Sequence, residues 1–240
     1  MVAAVDDAEG TIAGTTQVTV WNPTDQPLST VRLFLVPEHY AERPVLDDIL
    51  WERVYPNRWE PASMTIGFVR SVREDGGNNA LSWRRLPDGP PIIEVTLPTP
   101  LLPGDASTIE LAFLTRLPRK FGTLGAVRGR LTASGGWHPL PVPLSADGAW
   151  LDDAPPPLAD VEVTLRSPGS RTVVLGDAVH VPADDRRLGH DFVPQARPLG
   201  GSSASRVDGA QRETTWTGRA RFLGLSVQRA ARQRDIPLAD

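Results

Sequence analysis

The side chains most able to bind a metal in this sequence are its four histidines, His39, His138, His180 and His190. A catalytic zinc site built on one helix needs two histidines a turn apart with a glutamate between them, so that the ligands converge. No two of these histidines lie within seven residues of each other, and the sequence has no cysteine. We therefore expect no metal site, no thiolate chemistry, no disulfide and no cofactor.

Hydroxyl and glycine motifs give no sign of catalysis either. No serine stands in the strand–turn–helix elbow of a hydrolase, and Ser226 lies inside an apolar strand pattern. The glycines at Gly122–Gly125 and Gly135–Gly136 have no Gly-Lys-Ser/Thr after them, so we interpret them as tight turns. A triad assembled by the fold from distant residues stays open, but the sequence predicts no catalytic residue and no enzyme in this chain as it stands.

The most unusual local motif is Trp137-His138-Pro139. One interpretation is an aromatic and imidazole lip beside a ligand groove. The other, which we favour, is a tryptophan that fills the junction between two sheets while the histidine bonds a backbone carbonyl.

Apolar residues with almost no charge surround this motif and return near the end of the chain. Such a stretch could form an exposed docking face, because a cleft-forming domain leaves part of an apolar surface for its partner. The alternative is a second small core, in which the same residues pack on one another. The candidate cleft or docking residues are Trp137, His138, Leu140, Val142, Leu144, Trp150 and Leu225.

Composition excludes several classes of partner. The chain has 25 basic and 29 acidic residues and a formal net charge of −4, which gives no basic face for nucleic acid. No run approaches the roughly 20 apolar residues of a membrane span, so we expect no membrane insertion. The compartment is unknown from the sequence, and cytoplasmic is the default in the absence of a signal-peptide pattern.

The secondary-structure elements that position these residues are predicted to be short strands. Alternating apolar residues predict strands at Thr15–Trp21, Met64–Val72, Pro91–Leu97 and Ser107–Thr115. Proline and Asx residues between such segments predict turns, and we expect hairpins through the turn at 22–27 and through Ser167–Ser170. Helical periodicity is not sustained beyond one turn or two, near 46–54.

These patterns predict an all-β fold, with antiparallel sheets packed as a saddle or sandwich and little helix. We expect residues 1–240 to form a single β domain. A soft boundary is predicted near the proline run Pro155–Pro157.

Several segments together resemble a known family. They are QVTVWN followed by VRLFLVP, PIIEVTLPTPLLPGDASTIELAF with its Leu-x-Pro-Gly turn, and ADVEVTLRSPGSRTVVLGD after Trp137-His138-Pro139. In this order they resemble the amino-terminal β domain of aminopeptidase N-like zinc metallopeptidases. The resemblance implies a saddle-shaped domain that packs against a catalytic zinc domain, whose HExxH helix is not in this chain.

One departure from that family bears on function. The family's domain lends a Gln or Glu, just before the aromatic-Pro motif, to hold the substrate's amine, whereas residues 121–146 contain no Asp, Glu, Asn or Gln. The first hypothesis is therefore a non-catalytic accessory or docking domain that walls a substrate cleft and packs on a catalytic or helical partner domain, in the same or another chain. The alternative is a free-standing β-sandwich adhesion or carbohydrate-binding module that uses Trp51 and Trp59, and an unrecognised hydrolase is the third hypothesis.

Overall fold

The computed structural model of the chain describes residues 1–43, 54–55, 59–72, 77–122, 124–127, 130–133, 135–177 and 201–229. The helical turn predicted near 46–54 therefore lies almost wholly outside the described residues, as do Trp51, His180 and His190. Sixteen strands and one short 3₁₀ helix, Val36–Tyr40, make up the regular structure of the described part. The strands are β1 (Val2–Asp6), β2 (Thr11–Trp21), β3 (Leu28–Phe34), β4 (Ser63–Val72), β5 (Asn78–Ala80), β6 (Trp83–Arg85), β7 (Ile92–Leu101), β8 (Ala106–Arg116), β9 (Leu124–Val127), β10 (Arg130–Ala133), β11 (Leu140–Pro141), β12 (Ala159–Pro168), β13 (Arg171–Asp177), β14 (Ser202–Asp208), β15 (Gln211–Ala220) and β16 (Leu223–Arg229).

These strands form three sheets. The large sheet has eight strands in the order β14-β15-β12-β1-β2-β8-β4-β5. The β3 sheet has the order β11-β3-β7-β6, and the β16 sheet has the order β13-β16-β10-β9. All pairs are antiparallel except β1 with β12, which run parallel. The predicted all-β fold with antiparallel sheets and little helix is confirmed.

Alternation along the strands decides which face is buried. In β8, Ile109, Leu111 and Phe113 point to the interior, and in β7 Ile93 and Val95 do the same. These residues belong to one buried cluster that also takes Leu131, Leu225 and Val227 from the β16 sheet. The large sheet therefore shares one core with both small sheets.

The core is continuous across the proline run Pro155–Pro157. Strand β1 lies between β2 and β12 in the large sheet, so a segment from the start of the chain pairs with one that follows the run. Val163 and Leu165 of β12 are fully buried in the same cluster as Ile12 of β2. Whether residues 1–240 fold as one domain stays a prediction.

The two hairpins that the sequence suggested do not form, and the turn between β7 and β8 also joins two different sheets. Strand β2 belongs to the large sheet, but β3, which follows the turn at 22–27, belongs to the β3 sheet. Strands β7 and β8 are separated in the same way, and β12 and β13 lie in the large and β16 sheets. Each of these turns carries the chain from one sheet to another, so the two flanking strands do not pair with each other.

Candidate functional site

Five of the seven candidate docking residues are buried. Trp137 is completely buried, and His138, Leu140, Val142 and Leu225 are each no more than 7% exposed. The remaining two, Leu144 and Trp150, are half-buried. The expectation of an exposed apolar face made by these residues is therefore wrong for those five, which pack inside the chain.

Trp137 fills the junction between two sheets. Its ring packs against Phe113 of β8, with ring centroids 6.3 Å apart. Its indole Nε1 donates a hydrogen bond of 2.8 Å to the carbonyl of Leu223, which begins β16. Its own carbonyl accepts a 2.8 Å hydrogen bond from Thr115 Oγ1. One residue therefore ties the large sheet to the β16 sheet, as the favoured interpretation of the motif had it.

His138 is held as a neutral ring. Its Nδ1 lies 3.0 Å from the carbonyl of Pro139, and because a carbonyl only accepts, Nδ1 carries the proton. Burial lowers the pKa of His138 to about 4, an effect that the bond to Pro139 only partly offsets. Its Nε2 is buried without a hydrogen-bond partner. A ring in this state neither carries charge at neutral pH nor stands open to a ligand.

The two glycines before this motif explain how the chain reaches the junction. Gly135 and Gly136 both have positive φ, at 116° and 73°. A Cβ on Gly135 would lie 2.5 Å from the Cβ of Phe222, and one on Gly136 would lie 2.5 Å from that of Val36. The conformation and the close approach both require glycine at this bend in the chain.

Leu140 and Val142 are buried because their segment adds a short strand to the β3 sheet. Strand β11 pairs with β3 through Leu140 and Phe34, and Val142 N donates a 3.0 Å hydrogen bond to the carbonyl of Arg32. The apolar side chains that meet on this face form a second small core, the alternative that the sequence left open. Its members are Phe34, Ile92, Leu140 and Val142, with Val36, Leu86, Trp150 and Phe222 packed around them.

An ionic cluster lies on the same sheet, the β3 sheet. Glu94 of β7 accepts hydrogen bonds from Arg32 Nε at 3.0 Å and from Arg84 at 2.7 Å. Arg32 also pairs with Asp152 at 2.7 Å, which fastens the loop after β11 to the sheet. Burial acts to raise the pKa of Glu94, but the hydrogen bonds and charges of the two arginines outweigh it and leave this pKa below its usual value.

Metal ligands do not converge in the part of the chain that the structure describes. Among those residues no group of three or more His, Cys, Asp or Glu side chains is placed to hold a metal ion. His39 and His138 are described, and they belong to separate surroundings: the 3₁₀ helix and the sheet junction. Among the described residues, no helix has the length and apolarity that crossing a membrane requires.

One buried titratable side chain was missed by reasoning from the sequence. Lys120 is the single lysine among the 25 basic residues, and it is only 9% exposed, in the connection between β8 and β9. Burial lowers its pKa to about 8. Its rarity was visible in the composition and could have drawn attention to it, but its burial could not have been foreseen.

Comparisons with known proteins bear on the fold. No protein-family model matches the sequence, and no curated protein matches it significantly. The crystal structure of an M1 zinc metallopeptidase from Deinococcus radiodurans matches with a TM-score of 0.52 and 17% identity, over 95% of this chain and 40% of that chain. A two-domain M1 zinc metallopeptidase mutant bound to L-tryptophan matches with the same TM-score and coverage at 16% identity.

The chain shares its fold with part of these peptidases. At sequence identities of 16–17%, the structural match shows a shared fold and nothing more specific. The chain spans two fifths of the length of the peptidases that it matches, so it corresponds to a portion of them and not to the whole. The expected resemblance to zinc metallopeptidases is confirmed at this level.

Proposed function

We propose that this chain is a non-catalytic β domain of a metallopeptidase-like protein, which walls one side of a substrate cleft and packs on a catalytic partner domain. The observation that carries the proposal is the coverage of the structural match. Almost all of this chain, 95%, matches only 40% of each peptidase, which supports a role as one part of a larger protein.

The distribution of chemical groups supports an accessory role. The described residues gather no cluster of metal ligands, and the buried His138 is neutral and enclosed. In this proposal the zinc and the bond-breaking chemistry belong to the partner domain. The β domain supplies a rigid wall.

The docking edge that we propose is the loop that follows β11. Leu144 and Trp150 are half-buried and form an isolated bridge, and Leu151 is 42% exposed. The ion pair between Arg32 and Asp152 holds this loop on the β3 sheet, so these apolar side chains are presented by a fixed backbone. A fixed loop loses little conformational entropy when it docks.

The carbohydrate-binding alternative rests on two tryptophans as stacking platforms. Trp51 lies outside the described residues, and Trp59 is half-buried, with its Nε1 enclosed and without a hydrogen-bond partner. No observation favours this alternative over the docking domain, and it serves as one outcome of the test.

The test is association with a peptidase domain. The purified chain is mixed with the HExxH-containing domain of its parent protein and followed by sedimentation velocity. We expect a one-to-one complex, and we expect the double variant Trp150→Ala/Leu151→Ser to bind at least tenfold more weakly. Leu102→Ser is the matched control, because Leu102 is 56% exposed on the turn between β7 and β8 and lies outside the docking edge.

The outcomes separate the parts of the proposal. A complex that the double variant does not weaken would show that the docking edge is misplaced. The absence of any complex, together with retention of the chain on a polysaccharide matrix, would replace the proposal with the carbohydrate-binding alternative.

A further inference from the structure

Three Asp-Gly pairs stand in connections of the described chain, and their surroundings differ. They are Asp88-Gly89 between β6 and β7, Asp147-Gly148 in the loop after β11, and Asp208-Gly209 at the end of β14. All three glycines have positive φ. A further pair, Asp75-Gly76, lies outside the described residues. Because the same dipeptide recurs in three settings, differences in its chemistry must come from the structure around it.

An Asp-Gly pair has the groups needed to close a succinimide ring. The glycine nitrogen loses its proton and attacks Cγ of the aspartate, a C–N bond forms, and a carboxyl oxygen leaves as water. Glycine favours this attack because it has no side chain to shield its nitrogen. The reaction needs a glycine N–H and an aspartate carboxyl group that are both free to move, so hydrogen bonds at either group slow it.

Both reacting groups of Asp147-Gly148 are engaged. The Asp147 carboxylate accepts a hydrogen bond from Ser145 Oγ, and Gly148 N donates a 3.1 Å hydrogen bond to the Ser145 carbonyl. The bond from Ser145 also lowers the pKa of Asp147. This favours the ionised carboxylate, which is a poorer electrophile than the neutral acid.

The strand ladder holds Asp208-Gly209. Asp208 lies opposite Gln211 as the last pair between β14 and β15, so only Gly209 and Ala210 connect the two strands. The carbonyl of Ala210 accepts a 2.7 Å hydrogen bond from Gly169 N. The backbone is therefore fixed on both sides of the peptide bond that would have to rotate.

Asp88-Gly89 has none of these restraints. Both residues are exposed, and neither the Asp88 carboxylate nor Gly89 N has a hydrogen-bond partner in the described structure. A Cβ built on Gly89 would meet nothing within 4 Å beyond its chain neighbours. The connection is closed below this point by a 3.0 Å hydrogen bond from Leu86 N to the Ile92 carbonyl.

We propose that Asp88-Gly89 is a modification site, at which the chain converts aspartate to isoaspartate faster than at the two other described Asp-Gly pairs. After the succinimide has formed, water adds to either of its carbonyls. One product is the original aspartate, and in the other Gly89 is joined through the former side-chain carboxyl. No electrons are exchanged, and water is the only co-reactant. The extra main-chain methylene falls inside the connection that the bond between Leu86 and Ile92 closes.

The experiment follows the intact chain at pH 7 in water enriched in heavy oxygen. Each hydrolysis of a succinimide places one heavy oxygen atom in the product, and peptide mapping by mass spectrometry assigns it to one Asp-Gly pair. We expect Asp88 to gain label at least about tenfold faster than Asp147, because two hydrogen bonds hold the Asp147 pair and each slows the attack by a factor of about five. Asp208 should also be slower than Asp88. In concentrated urea the three rates should converge, because only the dipeptide then remains.

Two variants test the physical cause, and circular dichroism first checks that each folds. Ser145→Ala frees the Asp147 carboxylate and should raise labelling there about fivefold, with no change at Asp88. Gly89→Ala shields the attacking nitrogen and should slow labelling at Asp88 alone.

Two results would overturn the proposal. One is labelling of Asp147 or Asp208 as fast as that of Asp88 in the folded chain. The other is a set of relative rates in the folded chain that equals the set in urea.

Discussion

Asn22 joins two turns of the fold through all of its polar groups. Its Nδ2 donates to the carbonyls of Gln26 and Leu101, both at 2.8 Å, and its Oδ1 accepts from the backbone and hydroxyl of Thr24. Its backbone N and O bond to Asp105 and Gly104. The completely buried amide thus holds the turn after β2 to the turn after β7.

Asn22→Asp should destabilise the chain by about 3 kcal/mol, because it replaces a donor with an acceptor that faces two carbonyls in a buried site. Urea unfolding at pH 7 measures the change. Asp25→Asn, the converse exchange at an exposed position of the same turn, is the control and should change stability by less than about 0.5 kcal/mol. Equal stabilities of the two variants would contradict this account of the turn.

Trp137→Ala should cost about 3–5 kcal/mol, as large-to-small changes in a core do. The ring is completely buried and its Nε1 bonds the Leu223 carbonyl, so both packing and a hydrogen bond are lost. Trp21→Ala is the control, since Trp21 is 60% exposed, and it should cost much less. Thermal and urea unfolding measure the stability of both variants. A Trp137 variant as stable as the control would contradict the claim that Trp137 holds the two sheets together.

His138 should make the protein sensitive to acid. Its pKa is about 4 in the folded chain and near 6.5 when unfolded, so between these values the unfolded chain binds more protons. Stability is therefore lost as pH falls from about 6.5 towards 4, and by pH 4.5 the loss is about 2–3 kcal/mol.

His138→Gln removes this contribution. The difference in unfolding free energy between wild type and variant should shift by that amount between pH 7 and pH 4.5, since effects of the other groups cancel. A difference that does not change with pH would show that His138 is not buried as a neutral ring.

At the scale of the elements, glycines in the connections between strands adopt conformations that set where the next strand begins. Gly136 and Gly148 both have positive φ, but a Cβ on Gly136 would collide with Val36, whereas one on Gly148 would meet nothing within 4 Å. Gly148→Ala should therefore cost only the backbone strain of about 1 kcal/mol, and Gly136→Ala clearly more, by the added overlap. Chemical denaturation of the two variants separates these effects, and equal losses would contradict the close approach.

The positions of the strands could be predicted from the sequence, but their partners could not. Period-two alternation located β4 and β8 to within a residue and identified Ile109, Leu111 and Phe113 as one buried face. A hairpin and a turn that crosses between layers have the same pattern of strand, turn residues and strand, because alternation reports burial and not hydrogen-bond partners. This is why the expected hairpins at β2–β3 and β12–β13 were wrong.

The candidate site shows the same limit. An uncharged apolar run such as Leu140–Leu144 suits a buried strand and an exposed docking face equally well, and only the pairing of β11 with β3 decides between them. The role of Trp137 could be inferred without knowing which strands pair, because an uncharged junction favours a large side chain whose Nε1 can reach a carbonyl. The burial of Lys120 depends on the approach of Tyr40 from 80 residues earlier in the chain, and no local pattern encodes that contact.

At the scale of the whole molecule, three sheets share one core while the described residues bring together no metal-ligating cluster. The fold matches 40% of an M1 zinc metallopeptidase over 95% of its own length, and we propose that the domain supports a reaction carried out by a partner domain. In that proposal the domain contributes to activity through the shape of the cleft.

The most direct test of this role is the hydrolysis of an aminoacyl-coumarin amide by the zinc-binding domain of the parent protein, with and without this chain. We predict that the chain alone hydrolyses nothing and that its addition raises kcat/KM of the zinc-binding domain at least tenfold, with saturation at one equivalent. Hydrolysis by the chain alone, in proportion to zinc bound by it, would contradict the account, and so would a partner activity that the chain leaves unchanged.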